Sequence, residues 1–150
     1  MISPMRAEVV DRPIDVAAII EEVAAAAHGA ISVFIGTVRD ENEARAVTGL
    51  EYSAYEPMAA VELKTIVREA AARFGTQAIA VEHRVGALDV GEISLVIAAG
   101  HARRTNAMDA TRYVVEQLKR RVPIWKLEHY ADGAREWVDP TQRVERSVAL

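Results

Sequence analysis

Two lysines flank a proline bend in the segment LKRRVPIWKLE, which runs from Leu118 to Glu128. Lys119 precedes the bend and Lys126 follows it. Lysine ammonium groups can hold anionic substrates, stabilise charge that develops during nucleophilic attack, or transfer protons when neighbouring cations lower the pKa. Because side chains alternate along a strand, Lys126 and Glu128 are predicted to share one face, and the bend would allow Lys119 to reach the same cleft.

A structural interpretation accounts for the same spacing. A lysine in the last turn of a helix complements the negative end of the helix dipole, as Lys119 would. Lys126 and Glu128 would then form an exposed ion pair on the solvent side of an edge hairpin, which contributes little to stability. Since lysine is costly to bury, spacing alone favours this second interpretation.

Arginines at the ends of predicted elements form a second set of candidates. Arg39 ends a β-rich run, and Arg103 with Arg104 stands where a helix begins, so guanidinium groups and backbone donors there could hold a phosphate. Solvated arginines at such ends are more common than binding sites. The histidines lack metal-ligand spacing and are interpreted as structural or surface residues: His28, His83, His101 and His129.

Composition excludes several classes of function. The sequence has no cysteine, which rules out disulfides, thiolate metal ligands and a cysteine nucleophile. A net charge of -4 argues against broad nucleic-acid binding, so any anion site must be a local cluster. P-loop, dinucleotide-binding and Gly-x-Ser-x-Gly patterns are absent from the sequence.

The N-terminal segment has no secretory signal and no run is long enough to span a membrane, so a cytoplasmic protein is expected.

Hydrophobic periodicity predicts an α+β architecture, with helices on one side of a largely antiparallel sheet. Length favours a single domain over residues 1–150, with roughly the last ten residues flexible. Strands are predicted for EVV, AISVFIGTVR, VTGLEYSAY, AIAVEHRV, ISLVIAAG, IWKLEHY and REWV. The second of these strands is expected to be buried, and the DENEAR segment after it is expected to be a polar loop.

Three helices are predicted, each with recognisable ends. They run from the N-cap Asp15 to Gly29, from about Pro57 to Gly75, and from about Arg104 to Arg121. Pro123 is expected to end the third helix because its ring removes a backbone donor. The core-facing stripe of that helix is predicted to be Met108, Thr111, Val115, Leu118 and Val122.

Five segments, in this order and spacing, resemble the large, catalytic subunit of molybdopterin synthase over roughly residues 28 to 140. They are FIGTVRD, LEYSAYEPMA, HRVGALDVGE, LKRRVPIWKLE and REWV. The resemblance implies the α/β-hammerhead-like fold of that family, with three main helices packed on the sheet. It also implies the activity of the family, which converts cyclic pyranopterin monophosphate to molybdopterin by installing two sulfurs as a dithiolene.

The resemblance implies an external source of sulfur. A small ubiquitin-like subunit carries the sulfur as a thiocarboxylate on its Gly-Gly C-terminus, which enters the catalytic pocket. The expected assembly is a homodimer of this chain within a heterotetramer, with no metal and no cofactor bound by this subunit. A sequence without cysteine agrees with that scheme, because it can catalyse sulfur transfer only if another molecule brings the sulfur.

Particular residues match functional positions of the family. Lys119 and Lys126 match its essential lysines, and Glu128 matches an acidic residue that would orient Lys126 or relay a proton. Arg39 matches a substrate-anion contact, and Arg73 stands where the family contributes across its dimer interface. The full substrate-binding set that the resemblance implies is Phe34, Thr37, Val38, Arg39, Arg73, Arg103, Arg104 and Glu128.

Two positions depart from the usual pattern of the family. Thr37 stands where the family usually has lysine, which removes a cation from the anion site. Arg103 stands where the family usually has histidine, which replaces a titratable imidazole with a permanent charge. These two departures leave open an altered affinity for the substrate, an altered pH dependence of the reaction, and a paralogue with reduced activity.

Two other classes of function remain as alternatives. One is a non-catalytic paralogue that binds the ubiquitin-like sulfur carrier without turning substrate over. The other is an unrelated enzyme in which Lys126, in an apolar pocket, forms a Schiff base with a carbonyl substrate. Substrate-dependent dithiolene formation separates the first alternative from the synthase, and borohydride trapping would support the second.

Overall fold

The computed structural model describes residues 5–138. In chain order its elements are β1 (Arg6–Val10), α1 (Val16–Val23), β2 (Ala30–Thr37), β3 (Glu41–Asn42), β4 (Arg45–Ala54), α2 (Glu56–Phe74), β5 (Ile79–Arg84), β6 (Gly86–Asp89), β7 (Ile93–His101), α3 (Arg104–Arg121), β8 (Ile124–Tyr130) and β9 (Arg135–Val138). The seven predicted strands and three predicted helices are all present, so the α+β class is confirmed. The predicted flexibility of the last residues concerns positions outside the described range.

The strands form two sheets where one was expected. The first has the order β1-β5-β7-β2, with β1 parallel to β5 and the other neighbours antiparallel. The second has the order β3-β4-β8-β9, and β6 also pairs with β4. Both sheets contain strands from the two halves of the chain, which brings residues near position 50 beside residues near position 128.

Helices cover both faces of the first sheet, which corrects the expectation that they lie on one side. α2 and α3 pack on the face that carries Ile79, Leu95 and Ile97, whereas α1 packs on the face that carries Ala80 and Val96. The central strands β5 and β7 are buried along almost their whole length. Strands with continuous apolar sequences need a cover on both faces, which explains the position of α1.

α1 ends at Val23, six residues before the predicted stop at Gly29. The Asp15 side chain caps its N-terminus as predicted, by accepting a hydrogen bond from the Ala18 N–H at 3.1 Å. Gly29 serves a different purpose, because a Cβ atom there would lie 2.5 Å from the carbonyl oxygen of Ala102. The glycine therefore allows a close backbone approach between two loops.

Two burial predictions are wrong in detail. β2 is an edge strand of the first sheet, and Phe34 and Ile35 on it are 37% and 43% exposed. On α3, Met108 is 60% exposed, and small residues supply much of the core contact. The buried stripe of α3 is Ala107, Ala110, Thr111, Val114 and Leu118. Over residues 5–138, no helix has the length and apolar character needed to cross a membrane.

Candidate active site

The connection between α3 and β8 fixes the two lysines at one corner of the molecule. α3 ends at Arg121 and β8 begins at Ile124, so only two residues separate the elements. Lys119 lies in the last helical turn and Lys126 is the third residue of the strand. Leu118, Val122 and Ile124 are all at most 5% exposed, and they anchor the connection in the core.

Tyr52 links the two lysines. It lies directly opposite Lys126 in the antiparallel β4–β8 pair, so the two side chains share a face with Cβ atoms about 5 Å apart. Tyr52 also lines a small cavity of about 10 Å³ together with Lys119 and His83. Lys119 and Lys126 therefore approach the same tyrosine from two elements, which is the convergence that the sequence left open.

Glu128 holds Lys126 from the same strand face, as alternation predicts. The Lys126 Nζ lies 3.4 Å from Oε2 of Glu128, and the two side chains are only 15% and 4% exposed. The other oxygen of Glu128, Oε1, accepts hydrogen bonds from Asn42 Nδ2 at 2.5 Å and from the Tyr130 hydroxyl at 2.8 Å. An exposed ion pair on an edge hairpin is thus the wrong description of these residues.

His83 is a site residue that sequence reasoning missed. It is 2% exposed, and its ring stands edge-on to Tyr52 with centroids 5.0 Å apart. Its Nδ1 lies 2.9 Å from the carbonyl oxygen of Arg84, which can only accept, so Nδ1 carries the proton. Burial lowers the pKa of His83 to about 4, with a further contribution from the Lys119 charge, so the imidazole is neutral at pH 7.

The lowered pKa of His83 predicts a specific pH dependence of stability. Between pH 6.5 and about 4 the unfolded chain binds a proton that the folded chain excludes, so the free energy of unfolding falls as the pH drops through this window. The slope for one proton is about 1.4 kcal/mol per pH unit. Urea unfolding across this range should show a shallower pH dependence in His83→Gln, and parallel curves would contradict the assignment.

Arg39 emerges at the same end of the molecule as the lysines. The preceding residue, Val38, is buried against Leu50 and Leu88, in a cluster that Tyr52 also borders. The backbone of Val38 is hydrogen-bonded on both sides to the β6–β7 turn, at 3.0 Å and 2.8 Å. Val38 therefore acts by packing, and it anchors Arg39.

Thr37 and Arg39, on either side of Val38, are both exposed. Phe34 lies further back on β2, opposite Ile97, and therefore on the sheet face that α3 covers. Through Val38 and Tyr52, Arg39 thus lies at the same end of the molecule as Lys119, Lys126 and Glu128.

Arg103 and Arg104 lie at the other end. Arg104 begins α3 and Lys119 stands in its last turn, so about 22 Å of helix axis separates them. Both arginines are exposed, and the backbone N–H of Arg103 donates to His101 Nδ1 at 2.8 Å. One copy of the chain does not bring these arginines to the lysines.

Arg73 packs beside α3 rather than at the lysine corner. Its guanidinium lies 5.3 Å from the centroid of the Tyr113 ring and 5.6 Å from that of Phe74. One helical turn before Arg73, Glu69 pairs with Arg121 across α2 and α3, and this pairing lowers the pKa of the Glu69 carboxyl to about 2. Among residues 5–138, no group of three or more histidines and acidic residues is arranged to hold a metal ion.

The fold is shared with solved molybdopterin synthase structures. A Staphylococcus aureus structure described as molybdopterin synthase superposes with a TM-score of 0.81 at 33% identity, over 87% of this chain and 95% of that chain. A Burkholderia multivorans structure described as molybdopterin cofactor biosynthesis protein E gives a TM-score of 0.80 at 28% identity, over 97% of this chain and 95% of that chain. The fold is therefore that of the molybdopterin synthase class.

Sequence relatives identify the family. The molybdopterin synthase catalytic subunit of Oryza sativa subsp. indica is 44% identical, over 85% of this chain and 69% of its own length. The Bacillus subtilis protein of the same name is 41% identical, over 89% of this chain and 84% of its own length. The family model described as "MoaE protein" matches residues 9–121. The chain belongs to the MoaE protein family, which confirms the resemblance inferred from the sequence motifs.

Proposed function

We propose that this chain is the catalytic subunit of molybdopterin synthase, a sulfurtransferase of molybdenum cofactor biosynthesis. It transfers sulfur from the thiocarboxylated C-terminus of a small ubiquitin-like subunit to cyclic pyranopterin monophosphate, and the product is the molybdopterin dithiolene. The observation that carries this proposal is the convergence of Lys119 and Lys126 on Tyr52, in a chain of this family. With no cysteine in the sequence, the sulfur has to arrive on another molecule.

The lysines suit the charges of that reaction. In each transfer the thiocarboxylate sulfur forms a bond to a substrate carbon as a carbon–oxygen bond at that carbon breaks, with the oxygen leaving as water or staying on the phosphate. Hydrolysis of the bond between sulfur and the carrier's carbonyl carbon then leaves the carrier with an ordinary carboxylate. Both the thiocarboxylate and the substrate phosphate are anions, so two ammonium groups at one cleft hold them together and stabilise negative charge during attack. Glu128 keeps Lys126 oriented toward this cleft.

The substrate phosphate requires further cations, and Arg39 is the candidate from the same copy. Thr37 occupies the position where the family usually has lysine, so Arg39 is the positive residue that this segment offers. Arg103 and Arg104 are too far from Lys119 to join this site from the same chain. In the proposed homodimer, a second copy supplies them.

Loss of Arg39 should weaken precursor binding selectively. Arg39→Ala removes charge-assisted hydrogen bonds to the phosphate, so affinity for cyclic pyranopterin monophosphate should fall about tenfold or more while affinity for the carrier is retained. Calorimetry with each ligand measures both effects. Arg112→Ala is the matched control, because Arg112 is an exposed arginine of α3 that pairs only locally with Glu116. Equal losses for precursor and carrier would contradict the assignment.

The partner in this proposal is a ubiquitin-like carrier that ends in Gly-Gly. An extended diglycine tail has no side chains, so its recognition depends on backbone hydrogen bonds, its terminal charge and the globular contact outside the cleft. The proposal further includes a single catalytic domain over residues 1–150, a heterotetramer with a carrier on each copy, and a cytoplasmic location. It requires no metal or cofactor bound by this subunit.

Reconstitution tests partner, substrate and chemistry together. The purified chain, a thiocarboxylated carrier and cyclic pyranopterin monophosphate should yield molybdopterin, detected after oxidation to its fluorescent derivative. A carrier that lacks its two terminal glycines should still dock but should transfer no sulfur. Carrier binding without any product would instead favour the non-catalytic paralogue, and lysine trapping by borohydride with a carbonyl substrate would favour the Schiff-base enzyme.

A further inference from the structure

Glu128 is a carboxylate in an environment that would ordinarily disfavour one. Its side chain is 4% exposed, and burying a charge is costly unless hydrogen bonds and an opposite charge compensate. The compensation is divided between its two oxygens. Oε1 accepts from Asn42 and Tyr130, whereas Oε2 faces the Lys126 ammonium.

Asn42 reaches Glu128 from a hairpin whose backbone is strained. β3 and β4 pair at Asn42 and Arg45, and the two residues between them, Glu43 and Ala44, have φ angles of 50° and 65°. Such a turn favours glycine or asparagine, and side chains like those of Glu43 and Ala44 adopt positive φ at an energetic cost. The tight turn brings the Asn42 side chain, which is 6% exposed, into contact with Glu128, 86 positions further along the chain.

Tyr130 completes the support from β8 itself. Its hydroxyl donates to Glu128 Oε1 at 2.8 Å, and Arg45 stacks on its ring with the guanidinium carbon 3.6 Å from the centroid. Burial, and then the hydrogen bond to Glu128, raises the pKa of Tyr130 above its ordinary value, so the phenol stays protonated and acts as the donor. Two donors on one oxygen favour the ionised carboxylate.

We propose that Asn42 and Tyr130 are positioning residues for sulfur transfer, which fix Glu128 so that its second oxygen holds the Lys126 ammonium at the cleft. This inference rests on the proposed function, because it concerns the same lysine. Asn42 and Tyr130 act through Glu128 and need not touch the substrate. The arrangement couples the β3–β4 hairpin to the catalytic corner.

Removal of either donor should impair turnover more than substrate binding. In Asn42→Ala and Tyr130→Phe the ionised form of Glu128 is less favoured, so kcat should fall about tenfold with little change in KM. The acidic limb of the pH–rate profile should also move to higher pH. In a Glu128→Gln background, the same changes should have little further effect, because the group that they position is already altered.

Two matched controls separate positioning from general destabilisation. Asn106→Ala also deletes an asparagine donor, which bonds the Phe74 carbonyl oxygen at 3.0 Å at the other end of the molecule. Tyr113→Phe also removes a phenol hydroxyl, which donates to the carboxylate of Glu69 at 2.7 Å. Both controls should keep the wild-type kcat and pH profile. Equal losses in the controls and the test variants would overturn the proposal.

A measurement without turnover keeps this inference distinct from the proposed function. The sequence has three lysines, Lys64, Lys119 and Lys126, so side-chain NMR of lysine-labelled protein is easily assigned by single substitutions. Asn42→Ala and Tyr130→Phe should move the titration midpoint of Lys126 to lower pH and leave that of the exposed Lys64 unchanged. An unchanged Lys126 midpoint in both variants would overturn the proposal, even if the synthase is active. If both variants shift the Lys126 midpoint but the wild-type chain makes no molybdopterin, the positioning of Lys126 is supported and the synthase function is refuted.

Discussion

Replacing Lys119 or Lys126 with alanine is expected to reduce molybdopterin formation by a factor of about 100 or more in the reconstituted assay. Each substitution removes an ammonium group that would hold an anion and stabilise charge during attack by the thiocarboxylate. The two lysines reach Tyr52 from different elements, Lys119 from α3 and Lys126 from β8, so each ammonium is placed by its own stretch of backbone. Lys64→Ala, on the exposed side of α2, should have no effect and is the matched control.

The two variants should differ in stability. Lys119→Ala should melt close to wild type, because the side chain is only partly buried. Lys126→Ala removes the ammonium that lies 3.4 Å from the buried carboxylate of Glu128, so it should lower the melting temperature. Adding Glu128→Gln should restore part of that stability without restoring activity. A folded Lys119 or Lys126 variant with full activity would contradict the assigned role of that lysine.

Much of this corner is predictable from local sequence. Pro123 sets the end of α3, which places Lys119 in the last turn, and strand alternation places Lys126 and Glu128 on one face. These features depend on residues close together in the chain. The capping by Asp15 and the end of α2 at Gly75, which has φ 74°, are local in the same sense.

The rest of the corner depends on pairing between distant strands. Tyr52 faces Lys126 only because β4 and β8 pair in a particular register, and no pattern in either strand specifies that register. Asn42 lies in a segment that looks like a polar loop, and it reaches Glu128 only through a turn with positive φ at Glu43 and Ala44.

His83 was missed for a related reason. It stands in a strand that is buried on both faces, where a polar residue is ordinarily interpreted as structural. Its nearness to Lys119 comes from the packing of α3 on the first sheet, and the sequence of β5 carries no signal for that packing.

The distance between Arg104 and Lys119 allows a test of whether each active site is built from residues of two copies of the chain. About 22 Å of α3 lies between them, so a site that uses both must take Arg104 from a second copy. Lys119→Ala and Arg104→Ala should each be nearly inactive alone. When equal amounts of the two variants exchange subunits, half of the dimers contain one copy of each variant. In each of these dimers, one of the two sites has every wild-type group. Activity should therefore return to about a quarter of the wild-type value.

Lys119→Ala mixed with Lys126→Ala is the control for this experiment. Both lysines of a site come from one copy, because they border the same Tyr52, so this mixture should regain nothing. Mass spectrometry of the mixtures measures the fraction of mixed dimers directly. If subunits exchange and the Lys119→Ala and Arg104→Ala mixture stays inactive, the site is not shared between copies. If Arg104→Ala alone is fully active, Arg104 has no part in catalysis.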